Sequence, residues 1–136
     1  MSERVLVVDD DRMILFLMQK IRKQLGCQLE TACGGWHALE KMREMEFAVV
    51  LTDYDMPGMD GFELLAKCRE KSPHTIALML SSAEPKSFDQ DLLSDWVFRF
   101  IAKPCLPQLL ASHLHAAITE FRHRRDMQAA GQPLTM

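Results

Sequence analysis

Short apolar runs alternate along the chain with longer stretches in which apolar residues recur at helical spacing. Continuous apolar runs predict strands that are buried on both faces, since a half-exposed strand would alternate apolar and polar residues. Five strands are predicted, the second weaker than the others, at residues 4–8, 28–32, 47–51, 76–80 and 97–101. Five helices are predicted to alternate with them, at residues 13–25, 36–45, 62–71, 86–93 and 106–125.

The first predicted helix has the clearest apolar pattern. Met13, Leu17, Ile21 and Leu25 follow one another at intervals of four residues. This spacing predicts an apolar stripe that faces the core. Gly26 comes directly after the stripe, where glycine commonly caps the carboxyl end of a helix.

The alternation of strands and helices indicates an α/β fold, because parallel strands need crossover connections and these are usually helical. We predict a single (βα)5 domain with an open, doubly wound parallel sheet covered by helices on both faces. Residues 1–126 are assigned to this domain, and residues 127–136 are predicted to form a flexible C-terminal tail.

Composition excludes several classes of protein. The chain has 136 residues, 48% of them hydrophobic, which suits one domain with a real core. A net charge of −3 without a broad basic stretch argues against direct nucleic-acid binding. No apolar stretch has the length of a membrane span, and the N-terminus lacks the pattern of a signal peptide, so we expect a cytoplasmic protein without a membrane partner.

The four cysteines are scattered and form no CxxC pair. We interpret them as reduced, mostly structural thiols, and a zinc site is not expected. They are Cys27, Cys33, Cys68 and Cys105.

Acidic residues stand where two buried strands end. Asp9 and Asp10 follow the first strand, and Asp53 and Asp55 follow the third. In a doubly wound sheet, ligands bind in the crevice at the carboxyl ends of the strands. Crowded carboxylates repel one another unless a cation or a proton intervenes, and Mg²⁺ prefers oxygen ligands. If these two strands are neighbours, the pattern predicts a magnesium site.

A hydroxyl and an ammonium group are expected at the same edge. Ser81 follows the fourth strand and Lys103 follows the fifth. A hydroxyl, an ammonium and a divalent cation around one carboxylate can bind the three equatorial oxygens of a phosphoryl group in transfer. Asp53 would then be the nucleophile that forms an acyl phosphate.

Four elements in this order resemble the receiver domains of bacterial two-component systems. They are Val8-Asp9-Asp10, the segment Asp53-Tyr54-Asp55-Met56-Pro57-Gly58-Met59-Asp60-Gly61, Ser81, and Lys103-Pro104. The resemblance covers roughly residues 4–120. It implies a flavodoxin-like sheet with the strand order 2-1-3-4-5.

The resemblance also implies a ligand set for Mg²⁺. Asp10, Asp53 and the backbone carbonyl of Asp55 would bind the ion directly, and Asp9 would act largely through water. Asp53 would be the phosphoacceptor.

The resemblance further implies a switch. Ser81 and Lys103 would contact the phosphoryl group, and Ser81 and Phe100 would change position on phosphorylation. The peptide between Lys103 and Pro104 would be cis. The function implied is a regulatory phosphoacceptor rather than an enzyme, catalysing only its own phosphorylation and dephosphorylation. It would receive a phosphoryl group from a histidine kinase or a histidine phosphotransfer protein, and it could form a homodimer.

Four positions depart from the common pattern of the family. Trp96 and Val97 stand where Gly-Ala is frequent, so the surface beside the fifth strand follows less directly from the resemblance. Ser81 replaces the commoner threonine and keeps the hydroxyl. Asp55 adds a negative charge beside the site.

The same residues are partly compatible with other classes of protein. A phosphatase of the haloacid dehalogenase type also has an Asp-x-Asp motif followed by a serine and a lysine, but its second acidic pair follows the lysine. A flavin or nucleotide module would need a phosphate-binding loop after the first strand, and no such motif occurs. A receiver-like domain that is not phosphorylated is disfavoured, because every site position carries a residue with the required functional group. Asp11 is best interpreted as a cap residue and Asp60 as a turn or cap residue. Residues 122–125 are interpreted as a basic helix end or as a docking or linker element.

Overall fold

Five parallel strands form one sheet in the order β2-β1-β3-β4-β5. The computed structural model describes residues 3–82 and 96–131. The strands are β1 (Arg4–Val8), β2 (Gln28–Ala32), β3 (Val49–Asp53), β4 (Ile76–Ser81) and β5 (Arg99–Ala102). The helices within these ranges are α1 (Arg12–Leu25), α2 (Gly35–Glu44), α3 (Gly61–Lys71) and α4 (Pro107–Ala129). The predicted fold class and strand order are confirmed, and the helix predicted at 86–93 lies outside the described residues.

Each strand divides its side chains between two cores. In β1, Val5 and Val7 belong to one apolar cluster, and Leu6 and Val8 belong to the other. Alternate side chains of a strand point to opposite faces of the sheet, so both faces need a cover. Helices α1 and α4 cover the first face, and α2 and α3 cover the second. The continuous apolar runs in the sequence reflect this burial on both sides.

The third strand lies two residues later than its apolar pattern predicts. Phe47 and Ala48 are buried but precede the strand, which ends at Asp53 itself. Apolar periodicity cannot separate these two residues from the strand, because they pack in the same core. Hydrogen bonding decides the register, and it pairs Val49 with Val5.

The apolar stripe predicted for α1 is only partly buried. Met13 is 62% exposed and Leu17 is 38% exposed, whereas Met18 and Ile21 are buried. A helix has 3.6 residues per turn, so positions four apart drift steadily around its axis. A line drawn through every fourth residue therefore leaves the buried face.

Predicted caps are present at three helix ends. The side chain of Asp11 accepts the N–H of Met13, and that of Asp60 accepts the N–H of Glu63, each at 2.9 Å. Gly26 ends α1 with a φ of 62°, in the left-handed region that favours glycine. Helix α4 continues to Ala129, so residues 127–129 are helical rather than part of a tail.

Candidate functional site

Three carboxylates meet at the carboxyl edge of the sheet, between β1 and β3. One oxygen from each of Asp9, Asp10 and Asp53 lies within 4.8 Å of the others. Asp9 and Asp10 follow β1, and Asp53 is the last residue of the neighbouring β3. Asp9 and Asp53 are buried, with 1% and 4% exposure, while Asp10 is exposed. The cluster is therefore anchored in the fold and open to solvent on one side.

The buried carboxylate of Asp9 is poorly compensated. Its Oδ1 atom accepts the N–H of Asp11 at 2.9 Å, but its buried Oδ2 accepts no hydrogen bond from the described part of the chain. Burial raises the pKa of Asp9 to about 6, and the nearby charge of Asp53 acts in the same direction. Oxygens in such a cluster are suitable ligands for a hard divalent cation, so the residues present fit Mg²⁺.

Lys103 supplies a positive charge beside Asp53. Its Nζ atom lies 3.0 Å from Oδ2 of Asp53 and 3.8 Å from Oδ2 of Asp9. Burial lowers the pKa of Lys103, but the hydrogen bond to Asp53 and the surrounding carboxylates outweigh it, so that pKa is raised overall. The side chain therefore remains an ammonium at neutral pH.

Strand pairing brings Ser81 and Lys103 to this edge. Ser81 is the last residue of β4, is 2% exposed, and comes one position after Leu80, which pairs with Asp53. Its carbonyl accepts the backbone N–H of Lys103 at 2.9 Å. The peptide between Lys103 and Pro104 is cis, as predicted.

The loop after β3 is held tightly against the strand end. The N–H of Gly61 donates to the carbonyl of Tyr54 at 2.8 Å. A Cβ atom at Gly61 would lie only 2.7 Å from the carbonyl oxygen of Asp53, so a side chain does not fit there without movement. Sequence reasoning missed this role, although the position of this glycine at the end of the segment from Asp53 to Gly61 was a signal. Asp55 is exposed, and its N–H lies 3.4 Å from Oδ1 of Asp53.

Two aromatic residues pack on the α2–α3 side of the sheet. Phe100 is half-buried and pairs in register with Met79 of β4. Trp96 is also half-buried and packs against the same apolar cluster as Phe100. The two rings thus share one core with the strands that carry Asp53 and Ser81.

Comparison with known proteins identifies the family. The sequence profile of the response regulator receiver domain matches residues 5–115. The chain is 34% identical over 127 residues to the uncharacterized transcriptional regulatory protein YesN of Bacillus subtilis (strain 168), covering 91% of this chain and 34% of YesN. It is 33% identical over 114 residues to the two-component response regulator ARR17 of Arabidopsis thaliana, covering 74% of each. It is 28% identical over 137 residues to the sensor protein GacS of Pseudomonas syringae pv. syringae, covering 94% of this chain and 15% of GacS.

Solved structures have the same fold. A CheY-like receiver domain protein from Methanospirillum hungatei JF-1 superposes with a TM-score of 0.82 at 27% identity, over 91% of this chain and 99% of that chain. A structure described as adenylate cyclase from Rhodopirellula baltica superposes with a TM-score of 0.88 at 28% identity, over 96% and 97%.

The chain therefore belongs to the response regulator receiver domain family and is a receiver domain of two-component systems. Such domains are regulatory and receive phosphoryl groups from histidine kinases. The family match favours this interpretation over the phosphatase and flavin-module alternatives. The chain spans about a third of YesN and a smaller part of GacS.

Within residues 3–82 and 96–131, no helix combines the length and apolar character needed to cross a bilayer.

Proposed function

We infer that this domain is a phosphorylation-dependent switch that accepts a phosphoryl group on Asp53 with the help of Mg²⁺. The observation that carries the proposal is the position of the Asp53 carboxylate. It lies 3.0 Å from the ammonium of Lys103 and within 4.8 Å of two further carboxylates. Such a carboxylate has a cationic contact and also belongs to a set of cation ligands.

The proposed reaction is nucleophilic transfer. An oxygen of Asp53 bonds to the phosphorus of a phosphohistidine, and the bond between that phosphorus and the imidazole nitrogen breaks. The donor is a histidine kinase or a histidine phosphotransfer protein. In-line attack requires the donor imidazole to approach from the open side of the cluster, where Asp10 is exposed.

Charge compensation is the main contribution of the surrounding residues. Mg²⁺, held by Asp10, Asp53 and the carbonyl of Asp55 with Asp9 acting through water, would supply positive charge to the phosphoryl oxygens. Lys103 is ready to contact another phosphoryl oxygen without a large movement, because its ammonium already lies beside Asp53. Ser81 donates its hydroxyl to a third oxygen. These fixed charges stabilise the transition state more than solvent would.

The switch follows from a new acceptor for Ser81. Once Asp53 carries a phosphoryl group, the Ser81 hydroxyl moves toward it, and Phe100 turns inward into the space beside β5. A ligand shifts a conformational equilibrium only through such differential contacts. The domain works in the cytoplasm, with residues 1–126 as its functional unit.

The direct test is phosphorylation by a small donor. Purified protein is incubated with acetyl phosphate and Mg²⁺ and examined by intact mass spectrometry. We expect one acid-stable, base-labile phosphoryl group, which is absent from Asp53→Asn and in excess EDTA. Asp60→Asn is the matched control, because asparagine keeps the cap of α3 and the same charge is removed nearby. Undiminished labelling of Asp53→Asn would exclude Asp53 as the phosphoacceptor.

Asp10→Ala tests the metal part of the proposal. This variant loses an exposed ligand of the cluster but keeps Asp53 and Lys103, so it should be labelled much more slowly at low Mg²⁺. Labelling at the wild-type rate would argue against a cation held by these carboxylates.

A further inference from the structure

Cys33 and His37 form an exposed thiol–imidazole pair at the turn between β2 and α2. The Sγ atom of Cys33 lies 3.5 Å from Nδ1 of His37, within hydrogen-bond distance for sulfur. Both side chains are exposed. The pair plays no part in the phosphotransfer proposed above, and Cys33 is the exposed one among the four cysteines.

The orientation of the imidazole is fixed by the backbone. The N–H of Cys33 donates to the same Nδ1 atom of His37 at 3.2 Å. Nδ1 is therefore an acceptor, and the ring proton of neutral His37 resides on Nε2. The single lone pair of Nδ1 is shared between this N–H and the thiol of Cys33, and it can take the thiol proton as the sulfur attacks an electrophile.

The start of α2 adds a second favourable feature. Helix α2 begins at Gly35, and its N-cap, Gly34, provides no side-chain hydrogen bond to the first turn. The first N–H groups of a helix carry partial positive charge that stabilises nearby anions. Negative charge that develops on the sulfur of Cys33, just before this helix, is therefore stabilised locally.

The other three thiols have different surroundings. Cys68 is buried, and burial raises its pKa to about 12. Burial also raises the pKa of Cys27 and Cys105, which are half-buried. Protonated and shielded thiols react slowly, because the thiolate is the nucleophile.

We propose that Cys33 is a reactive thiol, activated by His37, and that it is the modification site of this domain for low-molecular-weight disulfides. The site lies at the same edge of the sheet as the carboxylate cluster. Cys33 directly follows Ala32, whose carbonyl accepts the N–H of Asp9 at 3.1 Å. An adduct on Cys33 is therefore attached one residue after the strand end that hydrogen-bonds to Asp9.

The step is thiol–disulfide exchange. The sulfur of Cys33 attacks one sulfur of the disulfide, a new S–S bond forms, and the S–S bond of the reagent breaks. His37 accepts the thiol proton and returns it to the departing thiolate or to water. Cys33 is oxidised to a mixed disulfide, and the other half of the reagent leaves reduced, as a thiol.

The test uses dipyridyl disulfide, a neutral reagent whose reaction releases a coloured thione. The full chain is treated under native conditions in EDTA, which keeps trace metals from the thiol, and peptide mass spectrometry assigns the adducts. We expect one fast equivalent on Cys33 and slower reaction elsewhere. His37→Gln should slow the fast phase by about tenfold or more, and Cys33→Ser should abolish it. The matched control is His74→Gln, an exposed histidine elsewhere, which should leave the rate unchanged.

Two results would overturn the proposal. One is a fast phase that maps to Cys27, Cys68 or Cys105. The other is a fast phase on Cys33 that keeps its wild-type rate in His37→Gln, which would mean that the thiol is accessible but not activated. Thermal unfolding of each variant, followed by circular dichroism, checks that the fold is intact. None of these readouts depends on phosphorylation of Asp53, so failure here would leave the proposed function unaffected.

Discussion

The guanidinium of Arg122 binds both carboxylate oxygens of Glu3, across 119 positions of sequence. Nε and Nη2 of Arg122 each lie 2.7 Å from an oxygen of Glu3. Glu3 is only 8% exposed, yet the hydrogen bonds to Arg122 outweigh its burial and lower its pKa to about 2. Because Arg122 belongs to α4 and Glu3 directly precedes β1, the pair attaches the closing helix to the start of the sheet. This ion pair also gives a structural role to Arg122, the first residue of the basic segment 122–125.

Glu3→Gln should lower the free energy of unfolding by about 1–2 kcal/mol at neutral pH, because a charged bidentate pair is replaced by weaker hydrogen bonds. The folded-state pKa lies below the ordinary value of 4.5, so the stabilisation is complete above pH 4.5 and is lost as the pH falls toward 2. Urea unfolding at neutral pH and between these two values measures both effects. The exposed Glu46→Gln is the control, and equal losses in the two variants would contradict the prediction.

Asp9→Asn should stabilise the metal-free domain. Burial and the charge of Asp53 both disfavour the ionised form of Asp9, so removal of that charge should raise the free energy of unfolding by about 1–2 kcal/mol in EDTA. Mg²⁺ should stabilise the wild type more than the variant, since a ligand of the folded state shifts its stability by mass action. The control variant is Asp11→Asn, because asparagine keeps a side chain that can cap α1, two residues after Asp9. A destabilised Asp9→Asn would show that the carboxylate is well compensated at rest.

The sequence predicted the convergence of the acidic side chains more accurately than the exact limits of the elements. Asp9, Asp10, Asp53 and Lys103 could be grouped because each stands near the carboxyl end of a predicted strand, and parallel strands bring their carboxyl ends to one edge. The start of β3 could not be predicted, because Phe47 is as apolar as the strand that follows. Which face of α1 is buried depends on contacts with α4, which are remote in sequence.

The local chemistry of single residues was also beyond the sequence. Gly61 was part of a motif, but its closeness to the carbonyl of Asp53 appears only when the loop folds back. Likewise, four scattered cysteines gave no reason to separate Cys33 from the rest. Its exposure and its contact with His37 depend on how β2 leads into α2.

Lys103→Met should lower the rate of phosphorylation of Asp53 by roughly tenfold to a hundredfold, because a fixed charge beside the transferred group is lost. Methionine keeps most of the length of the side chain, so the effect reports the ammonium that lies 3.0 Å from Asp53. The rate is followed by intact mass spectrometry with acetyl phosphate and Mg²⁺. Lys71→Met, at the exposed end of α3, should not change it. A wild-type rate in Lys103→Met would remove this residue from the phosphoryl site.

Gly61→Ala should destabilise the domain by about 2 kcal/mol, because the new Cβ atom would meet backbone rather than a flexible side chain. The added methyl group would push against the carbonyl of Asp53 and should also slow phosphorylation. Gly34→Ala makes the same chemical change where nothing lies within 4 Å, and its cost should stay below about 1 kcal/mol. Urea unfolding of both variants measures the two losses of stability. Similar losses would mean that the loop after β3 adapts easily.

Phosphorylation should change the environment of Trp96. Trp96 packs against the same apolar cluster as Phe100, so an inward turn of Phe100 should alter the indole fluorescence. The second tryptophan, Trp36, is 66% exposed and would add background, which a Trp36→Phe variant removes. Beryllofluoride with Mg²⁺ serves as a stable mimic of the phosphoryl group.

In that background we expect a saturable change in Trp96 fluorescence that requires both beryllofluoride and Mg²⁺. Ser81→Ala should abolish or strongly reduce it, because the hydroxyl is the proposed link between Asp53 and Phe100. Phe100→Ala should bind the mimic but give a different signal, since the moving ring is gone. The converse variant, Trp96→Phe with Trp36 retained, should respond weakly if the change is confined to the side of β5. An unchanged response in Ser81→Ala, or a flat trace in Trp36→Phe itself, would contradict the proposed movement of Ser81 and Phe100.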